Sequence, residues 1–377
     1  MRDWPPKLYY RICCLALFFI AASASFHGYF VKWHFREAGT SEYMASNTFD
    51  VTVSGTAQKP VVYRQLLPAI ANWVDSRVPE RIKTRLLISP VNAGPTFLSR
   101  LIDSPLAHDR TWFLRYWVVY ALVFCFAWFA VYALFQAGKA LGYPPPAAAL
   151  GAIALILLIP YFLTIGGYYY DFPELAFFAF TVWMATKCDW WWIIPVAALA
   201  TWNKETFPLF VLMLYPFLRT RNARLRAAIA TATIGAVSFA VYGLLLMRFR
   251  NNPLPASGDT IKGHLVLLME HVNYFVHFFS DPFRDKTYGV PENRVFFSFL
   301  IGLIVWTAWR GWRLLPRAAQ RHAQIAAAIN FPLYFLVCTP GELRDFSFLY
   351  VTLFLLIVAN LTAWMERKSQ ITPVPSV

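Results

Sequence analysis

The chain has 377 residues, of which 58% are hydrophobic and 18% aromatic, with only 14% charged; its mean hydropathy is +0.46. Soluble domains carry about 25% charged residues, so this composition excludes an ordinary soluble enzyme or binding domain. The net charge of +14 would suit a nucleic-acid partner, but the placement of the basic residues argues against one.

Several uninterrupted apolar runs reach the ~20 residues that a helix needs to cross ~30 Å of hydrocarbon. None shows the alternation of a membrane-spanning strand. The pattern predicts an all-α fold, a polytopic bundle of about ten transmembrane helices forming a single integral membrane domain over 1–377. The first run, 8–30, follows Arg2, Lys7 and Arg11. It is too long and too aromatic for a cleaved signal, and further spans follow it. A long loop, 32–111, comes next. Within it Val61 to Val74 carries apolar residues at helical spacing between Pro60 and Pro79, which predicts a helix lying on the membrane surface. Further spans are expected at 113–136, 145–165, 172–187, 190–202, 206–218 and 225–247. A second long loop, 248–293, holds another surface-helix candidate, His264 to Phe279. Spans at 294–310, 323–338 and 346–365 complete the set. The cysteines Cys13, Cys14, Cys125, Cys188 and Cys338 lie in or beside apolar runs, which argues against a disulfide framework or a metal cluster.

With a cytoplasmic amino terminus, the inner loops hold Lys139, Lys187, Arg219, Arg221, Arg224, Arg226, Arg310, Arg313, Arg317 and Arg321, followed by Arg367 and Lys368. The short outer turns hold only Lys204 and Arg344. This asymmetry is the positive-inside signature and places both termini in the cytoplasm. It also makes anionic membrane lipids, and no nucleic acid, the partners of the basic charge. Trp112, Trp117, Tyr168, Tyr169 and Tyr170 fall near the expected interfaces, where an aromatic belt would sit.

Four polar clusters map to the outer face. The first loop carries Glu37, Glu42 and Asp50, then Tyr63-Arg64-Gln65-Leu66-Leu67-Pro68; a guanidinium inside that apolar stretch needs a carboxylate or a phosphate, unless it snorkels to the head groups. Asp171-Phe172-Pro173-Glu174 opens a helix, where simple capping competes with two acids sharing one face. Trp202-Asn203-Lys204-Glu205-Thr206 separates two apolar pieces of only 12 or 13 residues. At ~1.5 Å per residue neither crosses the bilayer, so the Lys-Glu pair is expected below the outer surface, lining protein or water. An ionisable pair at such depth is a functional hypothesis by default. Pro340-Gly341-Glu342-Leu343-Arg344-Asp345 opens the last span, where capping again competes. No histidine shows metal-ligand spacing, and no phosphate loop or Ser-His-Asp pattern is present.

These features together resemble the GT-C superfamily of membrane glycosyltransferases, in its poorly characterised bacterial members. The likeness lies in a first helix, a long outer loop with acids and surface helices, and a bundle with outward-facing polar breaks. YRQLLP at 63–68, the NKET break at 203–206 and GELRDF at 341–346 carry it further. The resemblance implies transfer of a sugar from a polyprenyl-phosphate donor to a lipid or glycan hydroxyl, in a bacterial inner membrane. A carboxylate of the first loop would be the general base, with Asp50 ranked before Glu42 and Glu37. Arg64, Lys204 and Arg344 would face the leaving phosphate. Asp171, Glu174, Glu205 and Glu342 would orient those cations or bind sugar hydroxyls, and Tyr63, Gln65, Asn203 and Asp345 would complete the substrate site. No cofactor is required; a divalent cation on the carboxylates is compatible with the pattern. A lipid or solute transporter or flippase, and a polysaccharide polymerase or ligase, are the competing readings.

Overall fold

The computed structural model describes residues 6–35, 47–86, 104–163, 166–254, 266, 268–272, 285–287, 290–292, 294–338 and 341–371. Each of the ten segments expected to span is helical in it. They are α1 (Pro6–Trp33), α5 (Phe113–Ala140), α6 (Pro145–Phe162), α7 (Asp171–Lys187), α8 (Ile193–Asn203), α9 (Phe207–Arg221), α10 (Arg224–Arg248), α11 (Arg294–Gly311), α12 (Arg317–Val337) and α13 (Tyr350–Ile371). Short helices α2 (Phe49–Val53), α3 (Leu66–Arg77) and α4 (Glu80–Leu86) lie between α1 and α5. Five stretches are long and apolar enough to cross a membrane: Tyr9–Trp33, Phe113–Ala140, Pro145–Phe162, Arg224–Arg248 and Leu343–Lys368. The second long loop contributes one departure from an all-helical chain. There a three-residue strand β1 (Asp285–Thr287) pairs antiparallel with β2 (Val290–Glu292).

The helices are apolar on almost every side, so polarity cannot decide which face turns inward, and shape does. Small residues mark close approaches: Gly138 of α5 meets Ala148 of α6, and Gly151 of α6 meets Val358 of α13. A continuous core joins α1, α5, α6, α7, α9 and α13, with Phe178 and Phe210 stacked at 3.9 Å between ring centres. Outward faces stay apolar as well. Phe299, Val305 and Trp309 of α11 and Leu225, Phe239 and Met247 of α10 are exposed. Exposed apolar surface of this extent suits lipid, not water.

The basic ends of α7 and α9 lie together. Arg221 at the end of α9 donates to the Cys188 carbonyl just past α7, so the α7–α8 and α9–α10 turns are neighbours. The opposite end holds the start of α7, the α8–α9 break and the approach to α13.

Two segments differ from expectation. Val61–Val74 is not one surface helix: a 3₁₀ turn, Val61–Tyr63, and α3 flank a break at Arg64 and Gln65, and most of the stretch is buried. Pro68 fits the first turn of α3, where it loses no helical hydrogen bond. The last span is not uniform: within Leu343–Lys368, the stretch Leu343–Leu349 is a 3₁₀ helix with a kink at Phe346 before α13 begins. Of His264–Phe279, only 266 and 268–272 are among the described residues, and those are helical. Beside α3, Asp75 binds Lys83 of α4 at 3.0 Å and Arg115 of α5 at 2.9 Å. The hydrogen bond that Lys83 donates to Asp75 holds the Lys83 ammonium above the usual lysine range.

Candidate functional site

At the end of the bundle away from the basic turns, side chains from four distant segments meet. Their starting point is the turn Tyr168-Tyr169-Tyr170, which leads into α7. The Tyr168 N–H donates to Asp171 Oδ2 at 2.8 Å, so Asp171 closes the turn that precedes its own helix. Asp171 and Glu174 then occupy the first turn of α7, where the helix dipole favours negative charge. Tyr168, Tyr169 and Tyr170 are buried here and do not form the interfacial belt expected of them.

Against this platform the break after α8 presents Lys204 and Glu205. Lys204 Nζ lies 2.8 Å from Glu174 Oε2. Glu174 Oε1 accepts from Ser347 at 3.1 Å, with Thr206 Oγ1 at 3.5 Å. Glu205 faces Arg64 in a bidentate pair, Nη2 to Oε1 at 2.6 Å and Nε to Oε2 at 3.0 Å. Such a fork fixes both distance and plane. Arg64 is held from behind by its own backbone: the Gln65 N–H donates to the Trp202 carbonyl at 3.0 Å, and the Tyr169 hydroxyl donates to the Arg64 carbonyl at 2.9 Å.

The third cation, Arg344, comes from the 3₁₀ helix before α13. Its Nε donates to Glu342, and its Nη1 lies 3.5 Å from Asp171 Oδ1. Tyr170 sits between the two arginines. Its hydroxyl accepts from Arg64 and, at 3.3 Å, from Arg344. The Arg64 guanidinium lies 4.3 Å from the centre of the Tyr170 ring, and that of Arg344 lies 4.3 Å from the centre of the Tyr168 ring. The two rings stack on each other at 5.0 Å. Cation–π contact of this kind holds a guanidinium without consuming its N–H donors.

Arg64, Lys204, Arg344, Asp171, Glu174 and Glu342 are each less than a tenth exposed. Three cations therefore meet four carboxylates, including Glu205, in one buried cluster. At this depth an unpaired charge would cost several kcal/mol, and pairing removes most of that cost. Pairing still leaves capacity: an arginine carries five N–H donors and a lysine three. Around the cluster several polar atoms remain open. The hydroxyls of Tyr29 and Tyr350, both within electrostatic reach of Asp171, and Asn203 Oδ1 are buried with no hydrogen-bond partner among the described residues. Buried polar atoms are normally satisfied, so these open ones beside a charged cluster mark it as the candidate site.

The other residues singled out in the sequence lie around this centre or away from it. Asn203 joins it, donating to the Tyr170 carbonyl at 3.1 Å. Asp50 stands one layer off in α2, where it is half-buried and accepts from Thr48 at 2.6 Å; its neighbour Phe49 packs edge-on against Tyr169. Gln65 is turned toward the backbone carbonyls of Thr52 and Val62 and acts as a brace. Tyr63 faces a separate small core with Leu245 and Phe249. Asp345 stays beside the cluster: its carboxylate lies next to Cys338 and within electrostatic reach of Lys204 and Arg344, while its backbone carbonyl accepts from Asn330 at 2.6 Å. Glu37, Glu42 and Pro340 lie outside the described residues. The reading of the sequence missed Tyr168, Tyr170 and Ser347. Three consecutive tyrosines directly before two helix-opening acids were the available signal for the first two; Ser347 had none.

No family model matches the chain, and no curated protein or solved structure matches it.

Proposed function

We propose that the chain is a membrane glycosyltransferase that moves a sugar from a polyprenyl-phosphate donor to a lipid or glycan hydroxyl on the non-cytoplasmic side of a bacterial inner membrane. In this reading the ten helices form the membrane bundle, with α8 and α9 meeting below its outer surface, the basic turns face the cytoplasm, and the ionic cluster opens outward. One observation carries it: Arg64, Lys204 and Arg344, far apart in sequence, converge with their carboxylates and with open buried hydroxyls at one end of the bundle.

The chemistry follows from the charges. As the bond between the anomeric carbon and the phosphate oxygen breaks, its electron pair passes to the phosphate, and the sugar ring gains positive character. The arginines and Lys204 supply fixed donors for the departing phosphate, and Asp171, Glu174, Glu205 and Glu342 hold them in place beforehand. The acceptor oxygen forms the new bond to the anomeric carbon, and its proton passes to a carboxylate of the first outer loop. Asp50 is the first candidate for that base, ahead of Glu42 and Glu37, and its neighbour Phe49 packs edge-on against Tyr169 of the turn that opens α7. Tyr29, Tyr350 and Asn203 offer partners for sugar hydroxyls.

The test is sugar transfer from a labelled lipid donor by the purified chain in detergent. Arg64→Ala, Lys204→Ala, Arg344→Ala and Asp50→Asn are each expected to lower turnover by roughly 10²–10³. Unchanged turnover in all four overturns the reading. A transporter is the second reading, favoured by the two short helices α8 and α9 meeting at a buried ionisable break. Activity in detergent, where no gradient exists, separates the two.

A further inference from the structure

At the other end of the bundle, α1 and α5 enclose a cavity of about 460 Å³ that has no part in the ionic cluster. Its floor is aromatic: Phe18 and Phe135 are both buried and pack at 5.3 Å between ring centres. Its mouth opens on the outer surface of the helices, where Tyr132 is 39% exposed. Two cations from different helices, Arg11 of α1 and Lys139 of α5, line the rim together with the Gln136 amide. No acidic residue lines it, and neither cation has a carboxylate partner among the described residues. Lys139 Nζ instead lies 5.0 Å from the Phe135 ring centre, at the edge of the cavity.

We infer that this cavity binds one anionic phospholipid from the leaflet at the basic end, with its phosphate between Arg11 and Lys139 and an acyl chain against Phe18 and Phe135. The volume falls in the range of small-molecule sites, which suits a head group with the upper part of one chain. Charge complementarity selects the occupant: a rim carrying two unpaired positive charges favours a net negative head group, whereas a zwitterionic one brings its own ammonium against them. The apolar floor favours a lipid over a free anion, because only a lipid removes those aromatic faces from other contacts. Arg11 sits in the first turns of the first helix, so an occupant at this place would also tie α1 to the bundle.

Thermal melting of the full chain in neutral detergent tests the inference, with dioleoylphosphatidylglycerol, dioleoylphosphatidylcholine or inorganic phosphate added in turn. Phosphatidylglycerol is expected to raise Tm by about 3 °C or more, with little change from the other two. The Arg11→Gln/Lys139→Gln double variant is expected to lose that shift while keeping its Tm without lipid, since both side chains are exposed. Arg313→Gln/Arg317→Gln, which removes equal charge elsewhere at the same end, is expected to keep it. Equal shifts from both lipids, a shift reproduced by inorganic phosphate, or equal loss of the shift in both double variants would each overturn the inference.

Discussion

Tyr170 shows how much a single side chain organises here. Its hydroxyl accepts from two guanidiniums, its ring supports one of them, and its carbonyl receives Asn203. Lys204 and Glu174 illustrate the energetic side of the same arrangement. Both are buried and lie 2.8 Å apart, so removing one strands the other. Lys204→Met is expected to cost ~3–5 kcal/mol of stability, read as a lower Tm in detergent. Adding Glu174→Gln to that variant neutralises the stranded charge and keeps an acceptor for Ser347. The double variant is expected to recover most of the lost Tm while remaining inactive in sugar transfer. That Arg64 needs an anionic partner was legible from its apolar neighbours. That the partner is Glu205, 141 positions later, was not, because pairing across the fold leaves no local trace.

At the scale of elements, the α8–α9 break was readable from length alone. The two pieces, 11 and 15 residues, are each too short at ~1.5 Å per residue to cross ~30 Å. The ionisable residues between them therefore had to lie within the bundle. The split at Arg64 was harder to see, since the apolar spacing continues through it and only the tertiary contact to Trp202 opens the helix. Packing between elements depends on small residues at close approaches. A Cβ on Gly151 would stand 2.4 Å from Val358 Cγ2, so Gly151→Ala is expected to destabilise the α6–α13 contact by ~1–3 kcal/mol. Val358→Ala removes the clashing methyl groups, and the pair is expected to show a favourable coupling energy in a thermal double-mutant cycle. Additive losses would mean that the two helices do not approach as described.

For the whole molecule, the basic α7–α8 and α9–α10 turns and the ionic cluster stand at opposite ends of α7, and the proposed orientation assigns one end to each side of the membrane. Single cysteines test that assignment in a variant lacking the native five. Ser54→Cys and Ala223→Cys lie at exposed positions, one before the cluster and one in the α9–α10 turn. A membrane-impermeant maleimide applied to intact cells is expected to label Ser54→Cys strongly and Ala223→Cys only after lysis. The reverse pattern would invert the topology and place the cluster in the cytoplasm.

The sequence by itself determined the helical class and the presence of several apolar helices long enough to cross a membrane. These follow from composition and run length, which act locally and survive any packing. Only the tertiary structure decided which acid holds which base, that the three tyrosines lie inside and not at the interface, that Gln65 braces backbone carbonyls and that Tyr63 packs in a separate small core. In a chain apolar on nearly every face, hydrophobic pattern does not choose a helix's inner side. Shape at glycine and alanine contacts, together with the need to pair buried charge, makes that choice in three dimensions.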